Sequence, residues 1–204
     1  MAAKFFYRYS PMEAGKSATL LIEAYNFEKR NIGVLCMKPS VDDRESVDKI
    51  HSRIGIEKSC LTIYPYYNIY NIVREIIKDD NSLKWILVDE SQFLTFDQVE
   101  QLRVIVDDFD INVMCYGLRT DFQTKLFEGS KRLFELADDI SELKISCKCG
   151  RKAIFNARFN ENGELVTNGE QILIGGEDIY EPMCSKCYRK LIEEQNTTEA
   201  EIIE

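Results

Sequence analysis

Residues 10–17 read Ser-Pro-Met-Glu-Ala-Gly-Lys-Ser, placed between an extended run, KFFYRY (4–9), and a stretch of helical character. This segment limits the possible folds more than any other. A Gly-Lys-Ser turn can wrap backbone N–H groups around a phosphate only where a strand delivers the chain and a helix N-terminus follows. The template for such a loop asks for glycine at its first position. Ser10 stands there instead, which is tolerable where that residue's backbone does not demand a missing Cβ. Gly15 is kept where the backbone must come closest to the anion. On this reading Pro11, Met12, Glu13 and Ala14 make up the loop, Lys16 reaches the β- and γ-phosphates of ATP, and the Ser17 hydroxyl binds Mg2+. Taken alone, the motif also fits a capped helix start that carries a surface lysine.

The remainder of residues 3–118 supplies a scaffold of the right kind. IGVLCM (32–37), LTIY (61–64), WILVDE (85–90) and NVMCYGL (112–118) read as strands, the later ones with the near-continuous apolar runs of a buried parallel sheet. NIYNIVREIIK (68–78) sets Ile69, Ile72, Val73, Ile76 and Ile77 on one stripe at helical spacing. A second helix opens at Thr95, with Gln98 placed to complete a capping box. Strands alternating with helices predict an α/β fold, a parallel sheet with helices packed on it. WILVDE ends in Asp89 and Glu90. An acid at the carboxyl end of a strand beside a phosphate loop can hold the metal directly or through water. Glu90 is expected on the other side of the strand, where it could face a hydroxyl. In isolation such a pair can simply be solvated, and its pairing with Lys16 is what points to a site.

Charge and cysteine usage narrow the function classes. Thirty-five acids against twenty-six bases give a net charge of −9, which repels nucleic-acid phosphates, so no nucleic acid partner is expected. No apolar run approaches the roughly 20 residues of a membrane span, and a soluble chain with no membrane partner is expected. The seven cysteines are odd in number, and residues 1–9 carry no signal-peptide pattern, so a reducing cytosol fits better than a disulfide framework.

After Asp139 the pattern changes. CKCGRKAIFNARFNENGELV suggests two short strands around an Asn162-Gly163 turn, and no long helix is expected before about Cys184. A boundary near Glu142 divides the chain into 1–142, 143–192 and an acidic tail, 193–204, expected to lack order. Cys147 with Cys149 and Cys184 with Cys187 form two close pairs whose four thiolates can enclose a tetrahedral Zn2+; such a closed site is structural. Buried free thiols or a redox disulfide remain as alternatives. Cys36, Cys60 and Cys115 read as core thiols, and the lone His51 as a polar loop residue.

SPMEAGKS, KPSVDDR, SRIG, ILVDESQFL, CYGLRTDF, CKCGRKA and NGEQILIGGEDIY follow one another in this order, and over residues 4–190 the chain resembles the zinc-bearing cytosolic (type II) thymidine kinases. The resemblance implies a P-loop, RecA-like parallel sheet flanked by helices, with a small C-terminal zinc-binding lasso domain. It implies a cytoplasmic enzyme that moves the γ-phosphoryl group of ATP to the 5′-hydroxyl of thymidine, giving dTMP. Glu90 would be the general base. Lys16, Ser17 and Asp89 would serve ATP and Mg2+, with residues Ser10 to Gly15, Ser91 and Gln92 completing that site and Arg44 near the reacting phosphates. Phe93 and Phe122 would contact the nucleoside, and Gln171, Ile172, Leu173, Ile174 and Gly175 with Tyr180 would form the lasso over it. Met12, Leu118 and Tyr180 would line a pocket for the thymine methyl, although by pattern alone Leu118 is equally a core residue. A missing methyl is worth about 1–3 kcal/mol, so deoxyuridine is expected to be a weaker substrate. The zinc ligands bracket the lasso, and fixing both ends lowers the cost of ordering it. A homotetramer and feedback inhibition by dTTP are implied as well. Two other classes compete. One is a phosphate-loop module whose zinc ribbon binds nucleic acid through CKCGRK and CSKCYRK, which the negative charge and the lack of interleaved aromatics oppose; the other is a nucleotide-binding regulator without transfer activity.

Overall fold

The computed structural model describes residues 2–41, 48–171 and 179–203, with side chains through Gln195; Arg44, Ile172, Leu173, Ile174 and Gly175 lie outside them. The chain runs β1 (Phe5–Ser10), α1 (Lys16–Lys29), β2 (Gly33–Pro39), β3 (Lys49–His51), β4 (Glu57–Ser59), β5 (Leu61–Ile63), α2 (Ile69–Asp79) and β6 (Leu83–Val88). A 3-10 turn (Ser91–Phe93) leads into α3 (Phe96–Phe109), β7 (Asn112–Leu118), α4 (Glu128–Leu136) and β8 (Asp139–Glu142). Then follow β9 (Phe155–Phe159), β10 (Ile179–Met183) and α5 (Ser185–Ile203).

Six strands form one sheet in the order β5-β2-β6-β7-β1-β8, with every pairing parallel. The period-two alternation of a strand explains why its members are apolar on both sides. Phe5, Tyr7, Met37, Ile86, Val88, Val113 and Cys115 face a core completed by residues of α2, α3 and α4, such as Val73, Leu102 and Leu133. Cys36, Leu87, Met114 and Tyr116 face the opposite core, closed by Leu20, Leu21 and Ala24 of α1 and Ile50 of β3. Local sequence sets the helix starts. The Asn68 side chain accepts the Asn71 N–H at 2.8 Å, and Thr95 and Gln98 form the expected reciprocal capping box.

Away from the phosphate loop and Glu90, the structure differs from the sequence reading in four places. Asp139–Glu142, which carries no strong strand signal, adds to β1 as a sixth strand. His51 lies in the β3–β4 hairpin rather than in a loop, its Nδ1 3.2 Å from the Glu57 carboxylate. The Asn162-Gly163 turn forms, with Gly163 donating to the Asn160 carbonyl at 2.9 Å, but the returning chain makes only a bridge at Leu165. It leaves to meet residues 121–123, and β10 becomes the antiparallel partner of β9. Finally, α5 continues to Ile203 through the acidic stretch where disorder is expected, supported in part by the i,i+4 pairs Arg189–Glu193 and Lys190–Glu194.

Candidate active site

β1 delivers the chain at Ser10 and α1 begins at Lys16, so the loop between them opens directly onto a helix N-terminus. The N-cap is Gly15, which has no side chain to spend on the first-turn N–H groups, leaving that end of the helix suited to an anion. Gly15 has φ 75, and a Cβ there would meet nothing within 4 Å, so glycine is required by the backbone angle and not by space. Glu13 is also left-handed, φ 66, and its carboxylate pairs with Arg53 at the tip of the β3–β4 hairpin at 2.6 Å. Lys16 is only 8% exposed, which removes the surface-lysine alternative. Its Nζ folds back to the Pro11 carbonyl at 3.0 Å and the Ser10 hydroxyl at 3.2 Å. Ser10, where glycine is usual, thus contributes a hydroxyl beneath the lysine.

Asp89 follows the last residue of β6 and continues its pairing, its N–H donating to the Met37 carbonyl at 2.9 Å. Strand parity places it, like Leu87, on the α1 side of the sheet, beside Ser17 and Lys16. It is buried, and its Oδ1 has no hydrogen-bond partner among the described residues. Burial first, then the neighbouring Glu90 charge, pushes its carboxyl up to about 7, while the Ser17 hydroxyl and Lys16 act in the opposite sense. An orphaned, desolvated carboxylate oxygen beside a serine hydroxyl is the donor set a hard divalent cation accepts, so these residues fit Mg2+.

Glu90 is not on the far side of a strand. β6 has ended, and Glu90 sits in the left-handed region at φ 47 as the N-cap of the 3-10 turn. Its direction is therefore set by the turn. Gln92, 2% exposed, donates from Nε2 to Glu90 Oε2 at 2.5 Å and accepts the Leu118 N–H on Oε1 at 2.9 Å. The Ser91 hydroxyl donates to the Tyr116 carbonyl at 2.9 Å. Ser91 and Gln92, expected around ATP, thus direct these bonds to β7 and Glu90. The approach is tight: a Cβ on Gly117 would lie 2.6 Å from Ser91 Oγ and 2.9 Å from Gln92 Oε1.

The residues expected around the nucleoside converge from several elements. Leu118 is half-buried, and its carbonyl accepts the Tyr7 and Ser130 hydroxyls at 2.8 and 2.6 Å. Phe122 is buried under the Arg158 guanidinium, 4.9 Å from its ring centroid. Phe93 packs edge-on against Phe127, and Tyr180 stands opposite Arg158 in the β9–β10 ladder. Gln171 is exposed, its amide donating to Asp121 at 2.8 Å. Met12 of the phosphate loop donates its N–H to Asn156 of β9 at 2.7 Å. Sequence reasoning missed Asn156, Arg158, Asp121 and Tyr188. The signal was present in AIFNARF, where Asn156 and Arg158 share one face of a strand and both are buried.

The four cysteines meet. The sulfurs of Cys147, Cys149, Cys184 and Cys187 all lie within 4.8 Å of one another, with Cys149 and Cys184 at 3.6 Å. A tetrahedral site with Zn–S bonds of about 2.3 Å separates its sulfurs by about 3.8 Å, so the cluster is compatible with zinc. The first pair sits on a tight turn in which Gly150 donates to the Cys147 carbonyl at 2.8 Å. The second opens α5, and the Cys187 N–H directed at Cys184 Sγ pulls that thiol down to about 6. Cys187 is pushed up to about 12 by hydrogen bonds with the Cys149 and Cys184 sulfurs, since four adjacent thiolates are not sustainable without a cation. Elsewhere Cys36 and Cys115 are buried with raised thiols, as expected of inert core residues, while Cys60 is half-buried.

The family model described as thymidine kinase matches residues 3–188. The chain belongs to the thymidine kinase family. Its relatives include the thymidine kinase of Haemophilus influenzae (strain ATCC 51907 / DSM 11121 / KW20 / Rd), 46% identical over 92% of this chain and 97% of that protein. That of Rhodopirellula baltica is 43% identical over 99% of this chain and 95% of its own length, and that of Enterobacteria phage T4 47% identical over 93% and 97%. Membership in the thymidine kinase family makes the chain an enzyme, a kinase with an α/β sheet flanked by helices. Among the described residues no helix is long and apolar enough to cross a membrane.

Proposed function

We propose that the chain transfers the γ-phosphoryl group of ATP to the 5′-hydroxyl of thymidine, releasing ADP and dTMP. The observation that carries this reading is the buried Asp89 Oδ1, without a hydrogen-bond partner among the described residues, beside the start of α1, with Glu90 next in sequence. Bound Mg2+, held by Asp89 and Ser17, would neutralise charge on the β- and γ-phosphates. The first-turn N–H groups of α1 receive phosphate oxygens, and Lys16 exchanges the Pro11 carbonyl and Ser10 hydroxyl for them. Glu90 takes the proton of the 5′-hydroxyl as O5′ bonds to the γ-phosphorus. The bond from that phosphorus to the bridging oxygen breaks, and its electron pair leaves with ADP. Gln92, anchored on the Leu118 N–H, holds the Glu90 carboxylate for this step. Arg44 is assigned to the reacting phosphates.

Phe93, Phe122, Met12, Leu118 and Tyr180 are assigned to the nucleoside, with Gln171 and residues 172–175 closing over the base and deoxyuridine the weaker substrate. Residues 1–142 would form the ATP-binding domain and 143–192 a lasso domain whose structural zinc is held by Cys147, Cys149, Cys184 and Cys187. A cytoplasmic homotetramer inhibited by dTTP completes the reading. The test is Glu90→Gln assayed with labelled thymidine and MgATP. The variant should still bind a non-hydrolysable MgATP analogue while turnover falls by about 10²–10⁴-fold. Turnover at the unmodified level would remove Glu90 from the mechanism.

A further inference from the structure

Asn156 is the second residue of β9, 3% exposed, a polar side chain in a strand that packs on the small cysteine-bearing core. Its Oδ1 accepts the N–H of Met12, 144 positions away in the phosphate loop, at 2.7 Å. Its Nδ2 donates to the carbonyl of Thr120 at 3.3 Å. Both partners are backbone groups of fixed polarity, so the amide fits only one way round. Three segments therefore meet at one side chain: the phosphate loop, the 119–122 loop that carries Phe122, and β9.

The 119–122 loop is tied to the same module elsewhere. Arg119 Nη2 donates to the Ile154 carbonyl at 3.0 Å, and the Tyr188 hydroxyl donates to the Phe122 carbonyl at 2.7 Å. On the phosphate side, Met12 immediately precedes left-handed Glu13, with left-handed Gly15 two residues further on. A non-glycine residue in that region persists only when its surroundings hold it there. Asn156 fixes the residue on which that turn begins.

We propose that Asn156 is a positioning residue for phosphoryl transfer, setting the spacing between the loop on the nucleoside side and the loop on the phosphate side. The inference rests on the functional reading above. Transfer requires the attacking oxygen about 3–3.5 Å from phosphorus and in line. One amide bonded to both loops sets that offset, whereas, apart from Met12, which is assigned to both substrates, the contacts assigned to each substrate lie on its own side of the amide. Loss of the amide therefore lowers turnover while leaving the separate affinities in place. It also predicts communication: thymidine binding on one side tightens the phosphate loop on the other.

The experiment compares the full-length chain with Asn156→Leu, which removes both bonds at similar volume, and Asn156→Asp, which keeps the acceptor for Met12 but loses the donor to Thr120. Measured are kcat, the dissociation constants of thymidine and of a non-hydrolysable MgATP analogue, and hydrogen exchange of residues 13–17, beyond Met12, with thymidine alone. Asn156→Leu should lower kcat by about 10- to 100-fold with both dissociation constants little changed. Asn156→Asp should fall between it and wild type. Thymidine should slow exchange in residues 13–17 of wild type and not of Asn156→Leu. Wild-type kcat and wild-type exchange behaviour in a variant that merely melts earlier would overturn the inference and make Asn156 a buried structural asparagine. If Asn156→Leu does not fold, Asn156→Asp decides by the same two readouts. Absence of thymidine turnover in wild type would instead reject the functional reading.

Discussion

Asp89 concentrates the chemistry of the site in one side chain. Its carboxyl is raised from an ordinary 3.8 to about 7, chiefly by burial and then by the charge of Glu90. A folded-state value above the unfolded one means that the group stabilises the metal-free fold fully below about pH 3.8 and loses that contribution as pH rises through 7. Metal-free protein should therefore become less stable, relative to Asp89→Asn, as pH is raised from about 4 to 8. Chemical denaturation at a series of pH values checks this, and a slope of opposite sign would contradict it. A cation that replaces the proton relieves the same penalty, so the Mg2+ concentration giving half-maximal activity should increase as pH drops below 7.

At the scale of elements, what matters is how closely β7 and the 3-10 turn approach one another. Gly117 has ordinary backbone angles, yet it admits no Cβ, because Ser91 Oγ and Gln92 Oε1 occupy that space. Gly117→Ala should displace the Gln92 amide that holds Glu90, lowering kcat about tenfold or more while binding of an MgATP analogue is retained. Steady-state kinetics with a thermal melt test this, and unchanged kcat would show that the turn adapts without disturbing Glu90. Much at this scale was legible in advance. The Thr95 capping box and the buried strands follow from local pattern, and the structure contains them. Glu90 was misjudged because alternation along a strand holds only while the strand lasts, and β6 stops at Val88.

For the molecule as a whole, the cysteine cluster, β9, β10 and the start of α5 share a core that includes Cys147, Ala157, Met183 and Tyr188. That core reaches the sheet through Tyr188, Asn156 and Arg119, so it supports both sides of the site. Replacing Cys184 with alanine should abolish stoichiometric zinc, lower the melting temperature by about 2–4 °C for each kcal/mol lost, and raise the Michaelis constant for thymidine. Metal analysis, calorimetry and kinetics on one preparation check the three together. Normal kinetics and zinc content would show that the cluster does not anchor the nucleoside side.

The division between what sequence determined and what tertiary structure decided follows the range of the interactions. The phosphate loop, the strand that leads into Asp89 and the two cysteine pairs are encoded by neighbouring residues, because turn angles, capping and ligand spacing depend on groups a few positions apart. Sequence therefore determined the parallel α/β class and the thiol cluster. The Asp139–Glu142 strand, the pairing of β9 with β10, the left-handed Glu90 and the Asn156 bridge depend on which distant backbone groups lie within hydrogen-bond reach after the cores have packed. Local pattern carries no record of such partners, since a buried amide in one strand has the same sequence signal whether it meets the phosphate loop or not. Only the packing of the small core against the sheet decided that.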